Sequence, residues 1–141
     1  METATMAEII NGSETAKQIR RELKEEVAQL AEQGIVPGLA AILVGDDPAS
    51  AIYVNSKAKM CKRVGIYSEV IKKEATITQE ELIALIESLN QNPKISGILL
   101  QSPVPKPLDE FAACLRINPI KDVDGFHPDS VGRLLIGEPT F

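Results

Sequence analysis

At 141 residues the chain has the length of one domain. Its 44% hydrophobic and 25% charged residues match an ordinary soluble globular protein and exclude a disordered chain. The net charge of −5 disfavours nucleic acid as a partner, and no apolar run reaches the roughly 18 residues of a membrane span.

The opening METATMAEII has neither a basic start nor a long apolar stretch, so no signal peptide is expected and the cytoplasm is the expected compartment. Asn11 can cap a long helix, with Glu14 completing a capping box. Ala16, Ile19, Leu23, Val27 and Leu30 follow with helical spacing, which predicts one buried stripe. Gly34 and Pro37 end the helix. LAAILVG, Leu39 to Gly45, is a short continuous apolar run of the kind covered on both faces of a sheet. Asp47 then caps a second helix with Pro48 in its first turn, running to about Val64 before Gly65.

IYSEVIKK alternates loosely and reads as a second strand. Thr78 and Glu81 form a capping box before a third helix through Leu82, Ile83, Ile86 and Leu89. ISGILLQ, Ile95 to Gln101, is the third strand. The prolines of SPVPKP exclude helix interior and central strand. A short helix is expected from about Leu108 to Arg116. The turn-rich INPIKDVDGFHPDS follows, with Asp129 or Ser130 opening a last short helix. This rhythm predicts an α/β fold, a parallel sheet with helices on both faces in three α/β/α layers. Ligands in such sheets sit beyond the C-terminal strand ends, at GDDPAS, at the turn after Lys73 and at QSPVPKP.

On the second helix, Ala51, Val54, Ala58 and Cys61 form a stripe toward the sheet. Ser50, Tyr53 and Lys57 lie on its flank, and Ile52, Ser56, Lys59 and Arg63 face water. An amine at the border of core and solvent is partly desolvated and suited to proton transfer. It can equally be a snorkelling lysine beside a packed tyrosine. Gln101, at the end of an apolar strand, could accept from an ammonium, donate to a substrate, or bond loop backbone. Asp122 and Asp124 share a face if KDVDG is extended, and could hold a polar ring by accepting its N–H groups; Asp followed by Gly is also a turn signal. With no third acid close by, a divalent metal is not expected. Cys61 and Cys114 read as buried thiols rather than a disulfide, and together with the single His127 they do not make a metal site.

Four ordered stretches, IINGSETAKQIR, GDDPASAIYVNSKAKMCKRVGI, GILLQSPVPKPL and PIKDVDGFHPDSVGRLLIGEPTF, carry a further reading. Together they span nearly the whole chain, which resembles the N-terminal, substrate-binding half of the bifunctional methylenetetrahydrofolate dehydrogenase/cyclohydrolase family. The resemblance implies that Tyr53 stacks on substrate, Lys57 is catalytic, Gln101 orients the lysine and Asp124 holds the pterin. It also implies a substrate-binding surface from Ser50, Tyr53, Val54, Asn55, Ser56, Lys57, Leu100, Gln101, Ser102 and Asp124. Ser102 departs from the leucine the family usually has, which puts the packing beside Gln101 in question.

The reaction this implies is NADP-dependent oxidation of 5,10-methylenetetrahydrofolate, then hydrolysis of 5,10-methenyltetrahydrofolate to 10-formyltetrahydrofolate. The family's dinucleotide-binding domain is expected to be absent, because no G-x-G-x-x-G occurs in the chain. NADP would then not be bound by these residues, and the chain alone would carry at most the hydrolysis or folate binding. Tetrahydrofolate derivatives are the implied partners, and a homodimer the implied assembly. A folate-binding module without catalysis, and an unrelated α/β enzyme or interaction domain, are the alternatives.

Overall fold

A computed structural model describes residues 9–139. The segment on which the absence of a signal peptide was read lies mostly outside them. The order of elements is α1 (Gly12–Glu32), β1 (Gly38–Val44), α2 (Pro48–Val64), β2 (Tyr67–Lys73), α3 (Gln79–Gln91), β3 (Gly97–Leu100), α4 (Glu110–Cys114) and α5 (Pro128–Ile136). A single 3-10 turn, Pro119–Lys121, stands between α4 and α5.

The three strands form one parallel sheet in the order β2-β1-β3. Strand alternation divides β1 between two cores. Ala40, Ile42 and Val44, with Ile98 and Leu100, pack against Leu82, Ile86 and Leu89 of α3 and Ala113 of α4. Ala41 and Leu43, with Leu99, pack on Val54 of α2 on the other face. The expected three-layer α/β/α arrangement is therefore present. Among the described residues, no helix is long and apolar enough to cross a membrane.

Local signals set most boundaries. Asp47 accepts from the Ser50 N–H at 2.7 Å to start α2, and Gly65, at φ +92°, ends it. Thr78 and Glu81 form both halves of the capping box at α3. At α1 only the Asn11 half forms, and Glu14 instead lies 3.9 Å from Lys17.

Four further expectations need correction. The apolar stripe of α1 is mostly uncovered: only Val27 is buried, Ala16 and Leu30 are half-buried, and Ile19 and Leu23 are exposed. Strand β3 is shorter than expected, although Ser96 and Gln101 extend its bonding through the carbonyls of Gly38 and Ile42. Helix α4 is also shorter, because Asp109 caps it, and α5 begins earlier, because the His127 ring nitrogen accepts from the Asp129 N–H.

Candidate active site

The C-terminal edge of the sheet is assembled by its loops. Gly45 turns at φ +83°, and a Cβ on it would lie 3.1 Å from Pro105 Cγ, so the loops after β1 and β3 meet there. A hollow of about 520 Å³ beside this contact is lined by Gly45, Asp46, Asp47, Ala75, Pro103 and Pro105. The polar constellation lies outside that hollow, where α2 passes the end of β3.

Lys57 is half-buried on α2, and its Nζ donates to Gln101 Oε1 at 3.2 Å. Gln101 follows the last residue of β3, and its N–H donates to the carbonyl of Ile42. Its side-chain nitrogen donates to the Ser102 carbonyl at 2.8 Å, which turns the amide oxygen toward the lysine. Ser102 thus acts on Gln101 through its backbone. Its side chain is exposed and takes no part in that bond.

Tyr53 is one helical turn before Lys57 and 62% exposed, leaving much of its surface free for contact. Asp124 approaches from the loop before α5. Burial of its carboxyl pushes its pKa up; the Lys57 charge lowers it in part, and the Asp122 charge raises it further. The residue as a whole is exposed. Asp124 therefore lies within reach of the Lys57 charge.

Asp122 has a different place. It is 4% exposed and accepts from the Gly125 N–H at 3.1 Å, the His127 N–H at 2.9 Å and the Ser130 hydroxyl at 2.9 Å. Its lone pairs are committed to fixing the turn. Of the two aspartates in KDVDG, only Asp124 is left for a ligand.

The structure brings Tyr53, Lys57, Gln101 and Asp124 together, with Ser102 beside them. It does not bring the side chains of Val54 and Leu100 to this surface: they are 1% and 5% exposed and pack into opposite cores. Ser50 is buried at the start of α2, where its N–H and hydroxyl hold the Asp47 pKa down. Asn55 and Ser56 are exposed, and the helical period of about 100° per residue turns both well away from Lys57.

Sequence reasoning missed the anchors of the loop. Lys121 donates to the carbonyls of Leu89, Asn90 and Asn92 at 3.1, 2.8 and 3.0 Å, closing the C-terminal end of α3. No local pattern announces that contact, whereas the Asp–Gly signal did announce the turn at Asp122. Both cysteines are free thiols, Cys61 buried and Cys114 half-buried, and burial raises both pKa values. His127 spends its ring nitrogen on capping α5.

Residues 10–124 match the model of the tetrahydrofolate dehydrogenase/cyclohydrolase catalytic domain. The chain is 58% identical over 136 residues to the bifunctional protein FolD of Bacillus thuringiensis (strain Al Hakam), covering 96% of this chain and 48% of that protein. A silkworm (Bombyx mori) 5,10-methylenetetrahydrofolate dehydrogenase superposes with a TM-score of 0.91 at 42% identity, covering 95% of this chain and 47% of that one. The Trypanosoma brucei methylenetetrahydrofolate dehydrogenase-cyclohydrolase, solved with NADP cofactor and inhibitor, gives 0.88 at 37% identity, covering 92% and 44%. The chain spans about half the length of the curated relatives it matches. A match over most of the chain, in sequence and in fold alike, makes this chain a member of the tetrahydrofolate dehydrogenase/cyclohydrolase family.

Proposed function

We propose that these residues bind a reduced one-carbon folate and hydrolyse its 5,10-methenyl form to 10-formyltetrahydrofolate. The observation that carries this reading is the Lys57–Gln101 hydrogen bond, with the Asp124 carboxyl within reach of the Lys57 charge. Water bonds to the cationic bridge carbon and loses a proton, which neutral Lys57 accepts. The ring C–N bond then breaks as its nitrogen gains a proton, while the new hydroxyl loses its own and becomes the formyl C=O; of water's two protons one stays on the nitrogen and one is released overall. A cationic substrate favours the neutral amine, so binding itself prepares the base. Gln101 holds the amine in place, Tyr53 offers its ring face, and Asp124 accepts from the pterin N–H groups. This makes the 141 residues a single folate-binding catalytic domain.

For a protein of the relatives' length we propose NADP-linked oxidation of 5,10-methylenetetrahydrofolate as the companion step, in the cytoplasm. The residues described here do not fit the nucleotide. The glycines at positive φ, Gly34, Gly45, Gly65, Gly125 and Gly137, stand singly at turns and helix ends, and build no phosphate cradle. Homodimer assembly is proposed from the exposed apolar positions of α1 and α5, and sedimentation velocity at rising concentration tests it.

The decisive assay follows the loss of methenyltetrahydrofolate absorbance with the 141-residue chain, with buffer alone and with Lys57→Ala. A rate above buffer is expected, with Lys57→Ala losing about 100-fold or more of the enzymic excess. Equal rates for Lys57→Ala and the unaltered chain would remove Lys57 from the chemistry. Saturable folate binding at the buffer rate would favour the binding module without catalysis.

A further inference from the structure

The loop that carries Asp124 is held on both sides. Lys121 ties its start to the end of α3, and Asp122 ties its exit to α5. Asp122 also forms a lone parallel bridge with Ile98, so the backbone there runs as an added edge beside β3. These bonds fix where the loop enters and leaves. The bridge sets the spacing from β3 at Asp122 itself; beyond it, where Val123 leads to Asp124, these bonds do not set how closely the loop sits on the strand.

That closeness is set at Gly97. It is buried in β3, and its backbone lies outside the left-handed region, so its conformation does not call for glycine. The space around it does. A Cβ built on Gly97 would fall 2.4 Å from Val123 Cγ1, well inside any real carbon–carbon contact. Its other neighbours, Leu39 Cδ1 and Val123 Cβ, stand at an ordinary 3.6 Å. One methyl group of Val123 therefore occupies the place where any other residue would have a side chain. Val123 is the residue directly before Asp124.

We propose that Gly97 is a positioning residue: the gap left by its missing side chain seats Val123, and that seat holds Asp124 at its working distance from Lys57 and Gln101. The inference rests on the reading of Asp124 as the acceptor for a folate pterin. Alanine at Gly97 would lift Val123 off the strand and carry Asp124 with it, while the charges of the site stay the same.

The test compares Gly97→Ala, Val123→Ala, the double variant and Asp124→Ala. Tetrahydrofolate affinity is measured by calorimetry in anaerobic buffer, alongside Tm. Asp124→Ala is expected to weaken binding by about 10- to 100-fold, the loss of a charge-assisted hydrogen bond, and Gly97→Ala by about tenfold. The double variant should return to within about twofold of Val123→Ala, because truncating Val123 removes the clashing methyl. A merely structural glycine would lower Tm and leave the affinity of the folded protein unchanged.

If Asp124→Ala weakens binding and Gly97→Ala does not, Gly97 does not position the site. If Asp124→Ala binds like the unaltered chain, the reading of Asp124 fails and the inference falls with it. The amide resonance of Asp124 reports the seat without folate: it should shift in Gly97→Ala and return in the double variant, and an unchanged resonance overturns the seat. Should Gly97→Ala fail to fold, the double variant must fold and bind; its failure would equally overturn the proposal.

Discussion

Two aspartates one residue apart do opposite work. Asp122 gives its oxygens to three donors of its turn and of α5, while the Asp124 carboxyl takes up the Lys57 charge. The environment of Asp124 has a thermodynamic consequence. Its pKa in the folded state lies above the unfolded value, so the folded state retains the proton longer. Stability therefore falls as pH rises from the ordinary carboxylate range through the folded pKa, and the deficit is complete above it. Asp124→Asn removes that deficit. Its Tm at pH 7 should exceed that of the unaltered chain, the difference should vanish in acid below the ordinary carboxylate range, and folate affinity should fall. Thermal scans across pH check this; a lower Tm at pH 7 would contradict it. The trade of stability for a charged acceptor is the kind expected at a binding site. At this scale the sequence revealed the Tyr53–Lys57 face through its four-residue spacing, and Gln101 through its place at a strand end. Alternation alone could not separate Asp122 from Asp124, because it says that two residues share a face and not which one turns inward; only the family resemblance singled out Asp124. The resemblance also put Val54 and Leu100 on the substrate surface; their side chains point into the cores, which leaves only their backbone for that surface.

Among the elements, α3 is the one whose sequence signals agree best. Thr78 accepts from the Glu81 N–H at 3.1 Å, and Glu81 returns the bond to the Thr78 N–H at 2.9 Å. Its far end is closed by Lys121. Leu82 and Ile86 are fully buried between those ends. Thr78→Ala should cost about 1 kcal/mol, from the lost cap, and lower Tm by about 3 °C. Differential scanning calorimetry checks it, and an unchanged Tm would show that the cap adds nothing to the packed helix. Helix α1 shows the limit of pattern reading. Its spacing correctly marks an apolar stripe, but a stripe tells what one face contains and not what covers it. Val27 finds a neighbour in Gly65 at the end of α2, where a Cβ would lie 3.1 Å from Val27 Cγ1. Ile19 and Leu23 remain exposed.

For the molecule as a whole, the alternation of strands and helices gave the parallel sheet and its two covered faces. The spatial order β2-β1-β3 was not readable from connection lengths, because each crossover is long enough to reach either side. A residue signal for the centre was present: β1 is apolar throughout, whereas β2 carries Glu69, Lys72 and Lys73, as an edge strand does. Helix α5 stands at the other extreme from β1. Of its nine residues only Ser130 is buried, and that residue is moored by the single Asp122 carboxylate. Cooperative opening of the protein should therefore be graded. In deuterated buffer the amides of α5 should exchange orders of magnitude faster than those of β1, which is bonded on both edges and released only by global unfolding. Equal protection of the two would show that α5 unfolds only together with the sheet.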